Sequence, residues 1–149
     1  MGIANAYAQT SADKGVVING VKWATTNLGA SSKTDAGSHY AWVQAKTACP
    51  RGWRMPTYEE FDKLVSSGSV WTSINGVQGR LFGKAPNTIF LPAAGVFEGG
   101  NWFGDGSGWY WGISADANVK ASCLLFDNNS VKRDMYNRIL RMSVRCVAE

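Results

Sequence analysis

Glycine limits what this chain can become more than any other residue. Between Gly68 and Gly112 it recurs so often that only short pieces lie between turns: "VQGRLFG" (77–83), "TIFLPAAG" (88–95) and "GWYWGIS" (108–114). A glycine inside a helix costs about 1 kcal/mol relative to alanine, so these pieces read as short strands. Two more strand-like runs follow. "ASCLLFDNNSVKR" (121–133) turns back on itself at 127–130, and "MSVRCV" (142–147) closes the chain. With 17 glycines, 7 tryptophans and only 17% charged residues among 149, the composition predicts a turn-rich fold and not a helical bundle. A hydrophobic fraction of 45% suffices for one compact core.

The first half carries different signals. "VVINGVKWATTNLGA" (16–30) alternates apolar and polar residues around Asn19-Gly20, the signature of a β-hairpin. In "YAWVQAKTAC" (40–49), Trp42, Ala45 and Cys49 recur at the spacing of one helix face, and Pro50 and Gly52 end it. "MPTYEEFDKLVSSG" (55–68) is the clearest helix. Thr57 and Glu60 form a capping box, Phe61, Leu64 and Val65 give a buried stripe, and Gly68 stops it. A hairpin, two helices and then strands alone predict an α+β domain, with two helices packed on short antiparallel strands. It spans 16–149 behind a flexible arm over 1–15.

The net charge of +4 is dispersed, and no basic helix, RNP-like strand or zinc spacing accompanies it, which argues against a nucleic-acid module. No apolar stretch approaches the ~20 residues of a membrane span. "MGIANAYAQTSADKG" lacks the parts of an intact signal peptide; it fits the remnant of a cleavage site or a loose arm behind an added Met-Gly. Cys49, Cys123 and Cys146 are too scattered for zinc and read as one pair plus one free thiol.

Candidates for chemistry are few. His39, the single histidine, stands in a polar loop beside no acid. Glu59, Glu60 and Asp62 are explained by their place at a helix start. Glu98 and Asp105 form the only conceivable acid pair, and loop acids of this kind are ordinarily solvated. Asp127, Asn128 and Asn129 supply oxygens that suit calcium, yet turn formation accounts for them equally. The expectation is a chain with no catalytic set, metal or cofactor.

"YAWVQAKTACPRGWRMPTYEEFDKL" (40–64), "IFLPAAG" (89–95), "GWYWGIS" (108–114) and "SVRCV" (143–147) resemble, in order, the blocks of the Fibrobacter-type major paralogous domain. That resemblance implies a C-type-lectin-like fold of the formylglycine-generating-enzyme branch. The same blocks resemble variable proteins of diversity-generating retroelements, which display a ligand-binding surface rewritten by adenine-directed mutagenesis. A variable region would then cover 95–147. The chain departs from the family at Gly112 and Ile113, where Ser-Ser is favoured, and at Arg141, where glycine is favoured. It has "APNT" (85–88) in place of a sugar-binding Glu-Pro-Asn loop and no Trp-Asn-Asp strand. Cys123 has no obvious partner for an oxidase-like cysteine pair.

The resemblance implies a disulfide between Cys49, at the end of the first helix, and Cys146 in the last strand. It further implies a non-enzymatic module, at a cell or virion surface, that binds a protein or glycan. The side chains expected to form one solvent-facing patch begin with Trp102, Trp109, Ile113, Asp116 and Asn118. Lys120, Ser122, Asp127, Lys132 and Arg133 continue it, and Asp134, Tyr136, Ile139 and Arg141 complete it. Trp111 is expected in the core with Tyr110 behind it, and a twist or bulge at Gly108 would expose Trp109. The rival readings are a structural surface or virion protein without a selected ligand, and an enzyme of the formylglycine-generating type.

Overall fold

The computed structural model describes residues 13–104, 106–116 and 119–149. Strands β1 (Val16–Ile18) and β2 (Val21–Trp23) form the expected hairpin, turned at Asn19 and Gly20 with φ of 49° and 79°. Strand β3 (Tyr40–Ala41) runs into α1 (Trp42–Ala45), a single helical turn. After β4 (Trp53–Arg54) comes α2 (Tyr58–Ser66). Strands β5 (Ser69–Ile74), β6 (Val77–Lys84) and β7 (Asn87–Pro92) make a three-stranded meander. A small hairpin follows, β8 (Val96–Glu98) and β9 (Asn101–Phe103). A second meander is built from β10 (Gly108–Ala115), β11 (Lys120–Phe126) and β12 (Val131–Asn137). Strands β13 (Arg141–Met142) and β14 (Val147–Ala148) close the fold.

This architecture corrects the expected one. Strands hold 47% and helices 10% of the structure, arranged as four small sheets in a β-rich sandwich. It is not an α+β domain of the C-type-lectin-like kind with two packed helices. The predicted helix over 40–49 shrinks because Tyr40 and Ala41 pair with Met142 and Arg141 of β13. Only one turn is left before the disulfide-bearing loop. The β5 strand and the β8–β9 hairpin lie in stretches not counted among the expected strands.

Helix α2 forms as its sequence requires. The Thr57 hydroxyl accepts from the Glu60 amide at 3.1 Å, and the Glu60 carboxylate accepts from the Thr57 amide at 2.8 Å. Both Glu60 oxygens also receive the Arg54 guanidinium, at 2.7 and 2.9 Å. That pairing, more than burial, sets the Glu60 pKa, which lies below its ordinary value. Phe61 and Leu64 are buried, each contributing about 1.5–3 kcal/mol.

The β10–β12 sheet separates two hydrophobic clusters, because residues paired across strands share a face. Trp111 is opposite Cys123, and both join Trp42, Met55, Met142 and Val144. Tyr110 is opposite Leu124, and both join Trp23, Phe61, Phe82 and Phe126 under α2. Between Trp111 and Ala115, β10 leaves its register with β11. Gly112 there accepts from the Trp42 indole at 2.9 Å, the Ile113 amide donates to Pro56 at 2.8 Å, and the Ser114 hydroxyl accepts from the Tyr58 amide at 3.1 Å. The irregularity thus binds both helices, and it lies after Trp111 instead of at Gly108. Gly108 is instead covered by Phe126, whose ring would stand 2.1 Å from an added Cβ.

The closing segment holds the layers together. Cys146 is bonded to Cys49, 97 residues away, with Cα atoms 6.1 Å apart, and Cys123 is free and buried. Arg145 is 1% exposed. Its guanidinium donates to Asn27 Oδ1 at 2.9 Å, to the Ala24 carbonyl at 3.1 Å and to the Phe90 carbonyl at 2.7 Å. Asn27 donates in turn to the Ala36 carbonyl and to the Tyr110 hydroxyl, each at 2.9 Å, and Tyr110 donates to the Pro92 carbonyl at 2.7 Å. Burial pushes the Arg145 pKa down to about 10, against the pull of Tyr110 and Asp13, so it stays cationic at neutral pH.

Candidate ligand-binding surface

The fourteen residues expected on one patch are distributed over several. Trp109 and Tyr136 come together, partly buried, with ring centroids 4.9 Å apart and planes at 67°. Lys132 and Asp134 share their face of the sheet and pair with each other at 3.2 Å. Arg133 points to the opposite face, bonded to Asp62 at 2.8 Å and lying 3.6 Å over the Tyr58 ring, so it fastens β12 to α2.

Two of the fourteen face solvent in part or not at all. Ser122 is fully buried, because α2 covers one side of β11 and the Trp111 cluster covers the other. Its hydroxyl lies 2.5 Å from where a Gly112 Cβ would stand, so it packs against the β10 irregularity. Ile113 is half-buried against the Trp111 cluster. Ser122 therefore belongs to no open patch, and Ile113 contributes to one only in part.

The remainder lie at the edges. Asp116 accepts from the amides of Val119 and Lys120 at 2.9 and 3.0 Å, and Arg138 lies beside it. Asp127, at the far end of the meander, accepts from the amides of Asn129 and Ser130, which lower its pKa. Its oxygen shapes the turn. Lys120, Ile139 and Arg141 are exposed, Ile139 by 70%. Asn118 and Asp105 lie outside the described residues.

Two grooves flank the β8–β9 hairpin, and alternation along β8 assigns its residues between them. Val96 and Glu98 face a groove of about 380 Å³ whose walls include Phe103, Trp109, Tyr136 and Leu140. Phe97 faces the other, of about 510 Å³, with Ser38, His39 and Arg141. Trp102, opposite Phe97 in the hairpin, donates its indole N–H to the Ala94 carbonyl at 2.9 Å. His39 Nε2 reaches the same carbonyl at 2.9 Å, and its ring meets Phe97 edge-on at 4.9 Å. Burial lowers the His39 pKa, so the ring is neutral at pH 7. It braces the hairpin.

Sequence reasoning missed Glu98 as a groove residue, and with it Phe103, Leu140, Phe97 and Arg138. Arg138 lies 4.7 Å over the Trp42 ring and donates to the Asp116 carbonyl. The available signal was the Gly99-Gly100 pair between "VFE" and "NWF", a hairpin mark. Burial pushes the Cys123 thiol up to about 12, which leaves it unreactive. No group of three metal-binding side chains occurs among the described residues, and no helix there is long and apolar enough to cross a membrane. The disulfide fits an oxidising, extracellular setting.

Neither a family model, nor a curated protein, nor a solved structure matches the chain. The resemblance therefore rests on the quoted blocks at 40–64, 89–95, 108–114 and 143–147.

Proposed function

We propose that this chain is a non-enzymatic display module, of the kind represented by the variable proteins of diversity-generating retroelements. It acts at a cell or virion surface, binding a protein or glycan through its C-terminal strands and the loops between them. One observation carries this reading. Phe103, Trp109 and Tyr136, from three separate strands, converge on one open groove, while the residues that hold those strands lie beneath it. Large aromatics in a concave setting are the side chains that dominate binding energy at interfaces. The unreactive Cys123 thiol and the hydrogen-bonded His39 support a binding role over a catalytic one.

The reading is tested by randomising the exposed positions Lys120, Ile139 and Arg141 together with Trp102 at the hairpin. Most variants should fold with an unchanged melting temperature, and selection on immobilised proteins and glycans should recover binders. Genomic sequencing should find a second copy of the stretch encoding 95–147, differing at adenines, beside a reverse-transcriptase gene. General unfolding of the randomised variants would overturn the proposal.

A further inference from the structure

The groove between the β8–β9 hairpin and the β10–β12 sheet has a chemistry narrower than "protein or glycan". Trp109 and Tyr136 stand at 67° to each other and so wall the groove in two directions. Phe103, 51% exposed, adds a third ring, and Leu140 completes the apolar lining. Two polar atoms near these rings are engaged, and the Tyr136 hydroxyl has no partner among the described residues. The Trp109 indole N–H donates to the Ser107 hydroxyl at 2.9 Å, and Asn137 Oδ1 accepts from the Ile139 amide at 3.0 Å.

Glu98 is the charged residue among the groove's described lining. It is exposed, and no ion pair among the described residues uses it. Among the described residues no lysine, arginine or histidine lines the groove. The nearest strand cation on that face, Lys132, is paired with Asp134, and Arg138 lies against Asp116 and Trp42. In a chain of net charge +4, this leaves, among the described residues, one unmatched negative charge at a groove lined by three aromatic residues.

We infer that this groove binds a trimethylammonium group. The methyl groups of such a cation pack on the rings, the aromatic quadrupoles attract its charge, and Glu98 supplies the counter-charge without needing an N–H donor. The inference rests on the reading of this surface as a binding site and assigns its ligand class.

The test is an NMR titration of the full chain, following the Trp109 indole N–H, with choline chloride, tetramethylammonium chloride and the neutral isostere 3,3-dimethylbutan-1-ol. Choline and tetramethylammonium should give saturable shifts, with the isostere binding about tenfold more weakly. Glu98→Gln should weaken choline about tenfold and leave the isostere unchanged; because Glu98 is exposed, this variant keeps the fold. Trp109→Ala should abolish the shifts of the remaining groove resonances. Equal binding of choline and its isostere, indifference to Glu98→Gln, or no saturable shift would each overturn the assignment. Any of these, with the randomised surface variants still folded, removes the ligand class alone. Unfolding of those variants removes the display reading beneath it.

Discussion

On one face of the β10–β12 sheet Tyr110 stacks on Phe126 with ring centroids 6.0 Å apart; on the other Trp109 meets Tyr136 at 4.9 Å. The two residues are neighbours in one strand. Tyr110 is sealed beneath α2, its hydroxyl bonded to Asn27 and Pro92 in the network around Arg145. Trp109 is half-buried at the wall of an open groove, and its indole N–H ends on a local serine. Similar rings thus do different work according to what covers them. A closed polar network makes Tyr110 costly to alter, and an open groove leaves the residues that line it freer to change.

The comparison breaks most decisively at Arg145. Arg145→Ala strands Asn27 and two buried carbonyls and should cost about 3–5 kcal/mol by urea denaturation. Arg145→Lys should also destabilise, because one ammonium cannot reproduce the three-way fork. If Trp109→Ala costs as much as Arg145→Ala, the two faces are not distinct. Removing the Cys49–Cys146 bridge by double alanine substitution should cost about 2–5 kcal/mol, the range for a loop this long. A melting temperature insensitive to reductant would show that the closing segment is held by the Arg145 network alone.

A gentler contrast compares two hydroxyls. Tyr110→Phe removes a bond to Pro92 and a partner of Asn27, for about 1–3 kcal/mol. Tyr136→Phe, on the groove side, should stay within about 0.5 kcal/mol. Equal losses would erase the distinction.

Alkaline pH probes both faces at once. Burial raises the Tyr110 phenol and the Cys123 thiol to about 12, above their ordinary values of 10.0 and 9.0. The unfolded chain therefore releases these protons first, and stability present at pH 8 is lost as pH rises above 9. The slope from Cys123 is about 1.4 kcal/mol per pH unit. Cys123→Ala should flatten the urea midpoint between pH 9 and 10 and leave the later fall due to Tyr110. A midpoint that rises over this range contradicts the burial of both groups. The smallest effects belong to the edges: Lys120→Ser, Ile139→Ser and Arg141→Ser should each shift stability by under about 0.5 kcal/mol.

Much of the framework was legible because its causes are local. Asn19-Gly20 makes its hairpin from its own backbone preferences, and Thr57 and Glu60 cap α2 within a single turn. The alternation of "WYW" was enough to send Tyr110 and Trp111 to opposite faces, and the family resemblance placed Trp111 in the core. The Cys49–Cys146 pairing was legible through the family resemblance, not through spacing.

What covers each strand was not legible. Strand β11 is covered on both faces by α2 and the Trp111 cluster, so Ser122, which alternation sets on the same face as Leu124 and Phe126, is buried and not on the expected patch. Arg133 became a clasp because α2 happens to present Asp62 and Tyr58 to it. The groove required Phe103, Trp109 and Tyr136 to meet from three strands with no local pattern in common. The sequence by itself determined where this chain turns, where α2 begins and ends, and which residues alternate along each strand. Only the tertiary structure decided which faces stay open, because a side chain's exposure depends on layers contributed by distant segments, and no local preference encodes their packing.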